Sequence, residues 1–310
     1  MNLSVVICAH NPKPEILSKV ILSLKDQSLK YHQWELILID NQSATPVSEW
    51  VDISWHPSSK IIIEPTLGLS HARLSGVRAA NTDIIVFVDD DNILNEDYIQ
   101  ESLKFHYQHP EVGCFGGRSI PEFETPPPQW FFSTGIDLGC QNFGDKLHIS
   151  NFRSKDFRVT SYPQFAPIGT GMVILKQAFL MYVEEVARDT RRLELGRKGQ
   201  ALTSGEDNDI ILTIIKHGFE IAYVPTLQIR HIIPQKRYSQ GYLSKMAFES
   251  NRSWVKVLNM HGINAWKHIS PMTLPLRKLK AYLKIKPWKS NNKLIEWQAA
   301  CGILKGQSEI

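Results

Sequence analysis

The sequence has little cysteine and no long apolar run. Its four cysteines, Cys8, Cys114, Cys140 and Cys301, lie far apart and form no CxxC pair, which favours neither a zinc knuckle nor a disulfide framework. The longest apolar runs, such as residues 84–88, are much shorter than the roughly 20 residues that a membrane-spanning helix needs. We therefore expect buried thiols and no membrane span.

We also expect neither a secretory leader nor low-complexity tracts. The N-terminus carries no basic segment, and the polar His10-Asn11-Pro12 turn comes too early for the apolar region of a signal peptide. Glycine (18 residues) and proline (17 residues) are at ordinary levels, and 43% of the 310 residues are hydrophobic. This composition is typical of a globular protein with one large or two modest domains. We expect it to be cytoplasmic.

Charge is distributed unevenly along the chain. Residues 236–310 contain 14 basic and three acidic residues, a net charge of +11, so the overall charge of +4 leaves −7 for residues 1–235. Four tryptophans lie among these basic residues. The pattern predicts peripheral attachment to an anionic membrane, at the inner face of the cell membrane. The alternative is that the basic segment packs on the acidic body. Nucleic-acid binding is not expected, because no recognised binding motif surrounds the basic residues.

Strand and helix patterns alternate along the first two thirds of the chain. Short runs rich in β-branched residues predict strands, and apolar residues at helical spacing predict helices. Continuously apolar strands in a βαβα order predict an α/β fold, Rossmann-like, with a mostly parallel sheet flanked by helices. The predicted strands are 3–8, 34–39, 60–63, 83–88, 112–116 and 220–224, and the predicted helices are 15–27, 69–80, 97–109, 177–187, 209–217 and much of the chain beyond 238.

Polar residues follow three of the predicted strands. The first strand leads into Ala9-His10-Asn11, the second into Asp40-Asn41, and the fourth into Asp89-Asp90-Asp91. Ligands of doubly wound sheets bind outside these carboxyl ends. Neither GxxxxGK[ST] nor GxGxxG follows the first strand, which argues against P-loop hydrolases and dinucleotide dehydrogenases.

Three consecutive carboxylates, Asp89 to Asp91, repel one another unless a cation is present. Oxygen ligands of this kind suit Mg²⁺ or Mn²⁺, which commonly bridge protein carboxylates to substrate phosphates. The alternative is a solvated acidic turn that caps the next helix. Arg73, at the start of a helix that leads toward this strand, is positioned to pair with a diphosphate; the alternative is a surface arginine.

Three further segments carry candidate residues. Glu206 and Asp207 begin an acidic segment before an apolar helix, and simple capping of the helix dipole is the alternative to a chemical role. Gly169-Thr170-Gly171-Met172 predicts a flexible turn before the apolar run at 173–175. His231 is predicted to lie just after a strand, either as a ligand or as a structural histidine.

The order of these motifs resembles that of the family 2 glycosyltransferases, which have the GT-A fold. The segments are SVVICAHN, WELILIDNQS, EPTLGLSHARLSGVRAA, DIIVFVDDDN, PIGTGMVI, GEDNDIILTIIKHGFEIAYVP and IRHIIP. Only their combination is specific, and the later ones are similar to those of bacterial enzymes of surface-polysaccharide assembly. The resemblance implies a GT-A catalytic domain over 1–235, with a nucleotide-binding half (1–110) and an acceptor half (111–235), followed by a basic helical extension (236–310).

The resemblance also implies a role for each matching residue. Asp40 would hold the nucleotide base, Arg73 would lie near the diphosphate, and Asp207 would be the catalytic base, with Glu206 as its fallback. The implied nucleotide-binding residues are Ala9, His10, Asn11, Asp40, Arg73, Asp89 and Asp90. The implied ligands of a Mn²⁺ or Mg²⁺ ion are Asp91, Asp89 and His231, and the residues implied to line the acceptor side of the donor sugar are Gly169, Thr170, Gly171 and Met172.

The implied reaction is an inverting transfer from a nucleotide-diphosphate sugar to a hydroxyl of a saccharide or lipid-linked saccharide. Asp207 would deprotonate the acceptor as it attacks the sugar C1, while the metal and Arg73 stabilise the leaving diphosphate. The match at Asp40 favours a uridine or thymidine nucleotide. His10 stands where many members have a tyrosine, and an imidazole stacks on a base more weakly.

Two other classes of function are compatible with parts of the sequence. A metal-dependent phosphohydrolase would use Asp89 as nucleophile beside Asp91, but such a motif normally follows the first strand and needs a downstream lysine and a threonine-bearing strand. A non-catalytic nucleotide-sugar-binding module would be favoured only if the acidic residues were missing, and they are present.

Overall fold

Continuously apolar segments form the centre of the sheet in the computed structural model, which describes residues 1–150, 161–263 and 266–310. Within these residues the sheet has nine strands. They are β1 (Leu3–Ala9), β2 (Trp34–Asp40), β3 (Ser59–Ile63), β4 (Ile84–Asp89), β5 (Asn92–Leu94), β6 (Val112–Phe123), β7 (His148–Ile149), β8 (Val173–Leu175) and β9 (Glu220–Ile233).

The strand order is β3-β2-β1-β4-β8-β6-β9-β5, with β7 also paired to β9. Strands β1 to β4 are mutually parallel, and β6 is parallel to β9. The short strand β8 runs antiparallel between β4 and β6, and β5 and β7 are antiparallel to β9. Every residue of β1 and β2 is buried, because helices cover both faces of a parallel sheet.

The helices that flank and extend the sheet are α1 (Pro14–Lys25), α2 (Leu69–Ala79), α3 (Tyr98–Gln108), α4 (Lys176–Arg188), α5 (Glu206–Lys216), α6 (Gln240–Met260), α7 (Leu274–Ile285) and α8 (Asn291–Gln307). Helix α2 approaches the sheet closely at Gly76. A Cβ there would lie 2.4 Å from Val6 Cγ1, so glycine permits this contact between helix and strand.

The predicted α/β order is confirmed, with differences in the second half of the sheet. Strands β6 and β9 are longer than predicted, and β5, β7 and β8 were not predicted as strands. Pro225 interrupts the apolar pattern of β9, but it lies where the pairing of β9 with β6 is irregular, and a bulge tolerates proline. The prediction that His231 follows a strand is therefore wrong: it lies inside β9.

Helix α6 packs directly on the body of the protein. Val257 and Leu258 form an apolar cluster with Leu195 and with Leu212 of α5. Helix α8 crosses α6 closely at Gly302, where a Cβ would lie 2.1 Å from the backbone oxygen of Phe248. In the described part of the chain, no helix is both long and apolar enough to span a membrane.

Candidate active site

A cavity of about 580 Å³ opens at the carboxyl ends of β1, β2 and β4. This is where doubly wound sheets bind ligands. Most of the predicted site residues line it, as do parts of the segments 136–140 and 195–205 and of helix α6. The predicted residues that line the cavity are Ala9, His10, Arg73, Asp89, Asp90, Asp91, Gly169, Thr170, Glu206, Asp207 and His231.

The loop after β1 is tied to the loop after β2. His10 Nδ1 lies 2.7 Å from the backbone oxygen of Asn41, and His10 Nε2 lies 3.0 Å from Asn11 Nδ2. Asn11, at a φ of 49°, accepts from the backbone N–H of Ala44 through its side-chain oxygen at 2.8 Å. Asn11 does not line the cavity. Its side chain instead contacts the His10 ring and orients it.

Asp40 lies beneath the cavity floor. Its Oδ1 accepts from the backbone N–H of Ser43 at 3.0 Å and its Oδ2 from that of Val47 at 2.8 Å. The side chain is buried and does not line the cavity, whereas that of Asn41 does. Asn41 Oδ1 in turn accepts from the backbone N–H of Gly68 at 2.8 Å. The role predicted for Asp40 in base binding stays a prediction.

The acidic segment after β4 faces a buried arginine. Arg73 Nη2 lies 3.9 Å from Asp89 Oδ1, and Arg73 Nη1 lies 3.4 Å from Glu206 Oε2. Burial raises the pKa of Asp89, although Arg73 opposes this rise. Burial also raises the pKa of Asp90, and the charges of Asp91 and Asp89 add to the rise. The guanidinium is therefore fixed between two carboxyl groups at the edge of the cavity.

Strand pairing brings Asp91 to His231. Asn92 of β5 is opposite His231 of β9, and Asp91 Oδ2 lies 3.3 Å from His231 Nε2. Arg237 Nη1 lies 2.9 Å from each of these two atoms. Burial would raise the pKa of Asp91, but His231 and Arg237 outweigh it, so this pKa is lowered. Burial would lower the pKa of His231, but Asp91 outweighs it and the pKa is raised.

Helix α5 begins with two acids that have different environments. Glu206 is buried, and burial raises its pKa to about 7 although Arg73 opposes this rise. Asp207 is partly exposed and lines the cavity. Its Oδ2 accepts from the backbone N–H of Gly169 at 3.3 Å. Asp207 is thus the more accessible of the two to an acceptor. Asp209, two residues after Asp207, is fully buried; it forms an ion pair with Arg192, and its Oδ1 lies 2.6 Å from His261 Nε2.

The turn before β8 is shaped by close contacts. A Cβ on Gly169 would lie 2.6 Å from Arg73 Nη2. Gly171 has a φ of 70°, and its oxygen accepts from the Tyr98 hydroxyl at 2.5 Å. Gly169 and Thr170 line the cavity, whereas Gly171 and the fully buried Met172 lie behind its wall.

Sequence reasoning missed several residues of the cavity. Arg237 lies three residues after Pro234, the last residue of the IRHIIP segment, and that proximity was the available signal. Arg197 also lines the cavity, as do Met246 and Ser250 of α6, but no motif marks these three. Asn92, fully buried, accepts from the backbone N–H of Asp89 at 3.2 Å and donates to Asp91 Oδ1 at 2.9 Å; it orients the acidic segment.

The metal-binding atoms at this site are compatible with a divalent ion that is bound partly by the protein and partly by a substrate. The described residues contain no group of three or more histidine, cysteine, aspartate or glutamate side chains that could hold a metal. Asp91 Oδ2 and His231 Nε2, 3.3 Å apart, are close enough to bind one ion together. Mg²⁺ and Mn²⁺ commonly take only one or two protein ligands and complete their shell with water and substrate phosphates.

The sheet order and this cavity define a GT-A fold, the fold of many nucleotide-sugar-dependent transferases. The family model for glycosyl transferase family 2 matches residues 4–179. The chain belongs to that family and is a transferase, so the resemblance drawn from the sequence is confirmed.

The chain is similar to several curated proteins. A glucosyl-dolichyl phosphate glucuronosyltransferase of Haloferax volcanii is 20% identical over 80% of this chain and 74% of its own. A pre-mycofactocin glycosyltransferase of Mycobacterium tuberculosis is 25% identical over 69% of this chain and 40% of its own. The O-antigen chain rhamnosyltransferase RfbN of Salmonella typhimurium is 22% identical over 59% of this chain and 52% of its own. The chain thus spans about half the length of the last two.

Solved structures share the fold at low identity. TarS 1-349 of S. aureus has a TM-score of 0.53 at 13% identity, over 99% of this chain and 89% of its own. The mannosyltransferase PcManGT of Pyrobaculum calidifontis, solved with GDP-Man and Mn²⁺, has a TM-score of 0.53 at 16% identity, over 97% of this chain and 73% of its own. The predicted GT-A fold is confirmed. Neither the fold nor these similarities support the phosphohydrolase alternative.

Proposed function

We propose that this glycosyltransferase moves a sugar from a nucleotide diphosphate, of uridine or thymidine, to a hydroxyl of a saccharide or lipid-linked saccharide during surface-polysaccharide synthesis. One observation carries the proposal. The buried Arg73 and the accessible carboxylate of Asp207 lie in one cavity, joined through Gly169, whose backbone oxygen and N–H contact Arg73 and Asp207 respectively. A cation for the diphosphate and a base for the acceptor therefore lie side by side.

The similarities support the substrate classes. Two of the relatives described above have names that refer to dolichyl phosphate and to an O-antigen chain. TarS 1-349 has also been solved with UDP and with UDP-GlcNAc, and PcManGT with GDP-Man and Mn²⁺. We extend these classes to this chain: a nucleotide sugar as donor, and a saccharide or lipid-linked saccharide as acceptor.

In the proposed reaction, Asp207 accepts the proton of the acceptor hydroxyl as it attacks the sugar C1 and the configuration inverts. Arg73 stabilises the charge that develops on the leaving diphosphate, since a guanidinium fixed in advance at the edge of the cavity needs little reorganisation. Glu206 holds Arg73 in place through its ion pair at 3.4 Å. Gly169 and Thr170 would contact the donor sugar, and His10 and Asn41 the nucleoside.

We propose Asp91 and His231 as the protein ligands of Mn²⁺ or Mg²⁺, with Asp89 on the adjoining side of the cavity. The ion would supply Lewis-acid stabilisation of the diphosphate. We also propose that residues 1–235 form the catalytic unit, with halves 1–110 and 111–235. Residues 236–310 would attach this unit to an anionic membrane surface, and their first part adds Arg237, Met246 and Ser250 to the cavity lining. Asp40, with both oxygens occupied by backbone donors, shapes the loop that holds Asn41.

Calorimetry with nucleotide sugars, with and without Mn²⁺, tests this function. We expect the native protein to bind a UDP- or dTDP-sugar in a Mn²⁺-dependent manner and to transfer the sugar to a hydroxyl acceptor. Asp91→Ala should abolish both the metal dependence and the transfer. Asp97→Ala, an exposed acid at the start of α3, is the control and should change neither. Near-normal metal-dependent turnover of Asp91→Ala would overturn the assignment, and donor binding without transfer would favour a binding module.

A further inference from the structure

An apolar stripe on the C-terminal extension faces away from the rest of the protein. Met272, Leu276, Leu279 and Leu283 follow one another at intervals of four, three and four residues, a spacing that places them on one side of a helix. They are 90%, 71%, 54% and 58% exposed. Trp288, just after α7, is 57% exposed. We call these five side chains the apolar stripe.

The opposite side of α7 already has a partner. The Trp297 ring of α8 packs edge-on against Tyr282, with 5.3 Å between the centroids. Trp297 Nε1 donates to the backbone oxygen of Lys278 at 3.3 Å, and Lys278 Nζ lies 5.4 Å from the centre of the Phe248 ring of α6. These contacts fix the rotation of α7, so the apolar stripe is held outward. No residue of α7 is buried.

The segment around the apolar stripe is strongly basic. Residues 271–290 contain six basic residues and no acidic ones. At helical spacing, Lys280 and Lys284 lie along one edge of the stripe, with Arg277 beside them. Exposed aliphatic side chains bordered by lysines, with a tryptophan at one end, are the composition of helices that lie in a membrane interface.

We propose that residues 271–289 are the membrane contact of this protein and that the apolar stripe enters the headgroup region of an anionic bilayer. The charge of this face favours a bilayer over a second copy of the chain as its binding partner. A second copy would bring six basic residues against six, and like charges oppose such a symmetric contact. Each lysine or arginine near an anionic lipid surface instead contributes attraction on the order of 1 kcal/mol. The inference rests on the proposed membrane attachment but not on the proposed transfer reaction.

Helix α8 connects this face to one wall of the cavity. Asn292 Nδ2, in the first turn of α8, donates to Ser133 Oγ at 2.9 Å, next to Phe132, which is exposed. Ile295 lies in the same apolar cluster as Leu138, and Leu138 lines the cavity. A bilayer bound by α7 would therefore be connected through helix α8 to the segment that borders the cavity. A lipid-linked acceptor requires the membrane to be held near the cavity in this way.

Co-sedimentation of the full chain with phosphatidylglycerol-containing vesicles, compared with pure phosphatidylcholine vesicles, tests the proposal. The test variant replaces three exposed leucines, as Leu276→Ser, Leu279→Ser and Leu283→Ser. We expect it to lose at least about tenfold in binding to anionic vesicles, because most of the inserted apolar area is gone. Binding of the native protein should weaken at high salt and should be much lower on neutral vesicles.

The matched control removes three exposed aliphatic side chains elsewhere, as Leu22→Ser, Ile63→Ser and Leu180→Ser, and should bind as the native protein does. Unchanged binding of the test variant, equal binding to neutral and anionic vesicles, or no binding at all would overturn the proposal. So would a native dimer that the test variant loses in sedimentation velocity. Transfer to a water-soluble acceptor should be equal in both variants, so failure of the membrane contact is distinguishable from failure of the proposed reaction.

Discussion

Arg237 donates through Nη1 to Asp91 Oδ2 over 2.9 Å. The same nitrogen is 2.9 Å from His231 Nε2. An ion held jointly by Asp91 and His231 would need the space that the guanidinium fills. Arg237 therefore neutralises Asp91 in this structure, and it would have to move if the proposed ion were to bind. It also lines the cavity, which leaves it within reach of a donor diphosphate.

The first prediction follows from this competition. Arg237→Met should raise the affinity for Mn²⁺ in the absence of nucleotide by about tenfold, the equivalent of one hydrogen bond to a charged group. Titration of free Mn²⁺ by electron paramagnetic resonance measures it. Arg230→Met is the matched control, since Arg230 lies on β9 next to His231 but pairs with Glu122 at 2.6 Å on the surface. Unchanged or weaker binding in Arg237→Met would contradict the competition.

The second prediction concerns the two acids at the start of α5. Asp207→Asn should lower turnover by about 10²-fold or more, the usual scale for a general base, with donor affinity little changed. Glu206→Gln should instead weaken donor binding and stability together, because the buried Arg73 loses its ion pair. Single-turnover rates, donor titrations and urea unfolding separate the two effects. A collapse of donor binding in Asp207→Asn would make Asp207 a donor-site residue.

Most of the strands and helices were predictable because their periodicity is local. Strands β1, β2 and β4 are mostly apolar and do not alternate with polar residues, which is sufficient to place them at the centre of a covered sheet. The strands that were not predicted form by pairing with residues far away in the sequence. Strand β5 is three residues long and exists because it pairs with β9. Nothing in its own sequence indicates this partner, which comes much later in the chain.

The candidate site divides in the same way. Strand exits and the acidic segments can be found from sequence, since topology brings the carboxyl ends of parallel strands to one edge. The sequence does not show that Arg237 lies between Asp91 and His231, because a later turn positions it. Nor does it show that both oxygens of Asp40 are taken by backbone donors, whereas its neighbour Asn41 lines the cavity.

The third prediction concerns the crossing of α6 and α8. Gly302→Ala should destabilise the protein by about 1–3 kcal/mol, the usual cost of overpacking, because its Cβ would lie 2.1 Å from the backbone oxygen of Phe248. Helix propensity alone predicts the opposite effect, an increase in the free energy of unfolding of up to about 1 kcal/mol. Gly241→Ala, where a Cβ meets nothing within 4 Å, is the control and should be neutral or stabilising. Urea unfolding gives both values, and stabilisation by Gly302→Ala would refute the close crossing.

The fourth prediction concerns pH and the clamp that holds the end of α8 on α6. Burial would raise the pKa of Glu309, but hydrogen bonds from Arg252, Lys256 and Lys305 outweigh it and lower this pKa to about 2. A carboxyl whose pKa is lowered on folding contributes stability that is complete above its unfolded pKa of about 4.5 and disappears as the pH falls toward 2.

Glu309→Gln should therefore lower the free energy of unfolding by about 1 kcal/mol at pH 7. This value is small because the carboxylate is partly exposed and solvent screens its charge. The difference in stability from the native protein should narrow progressively below pH 4.5, because Glu309 then binds a proton in the unfolded native protein more readily than in the folded one. Urea unfolding at pH 7, 5 and 3.5 measures the gap. The control is Glu296→Gln, whose carboxylate pairs with Lys293 on the surface of α8 and should change stability little at any of these pH values. A gap for Glu309→Gln that stayed constant with pH would show that its charge does not hold the two helices together.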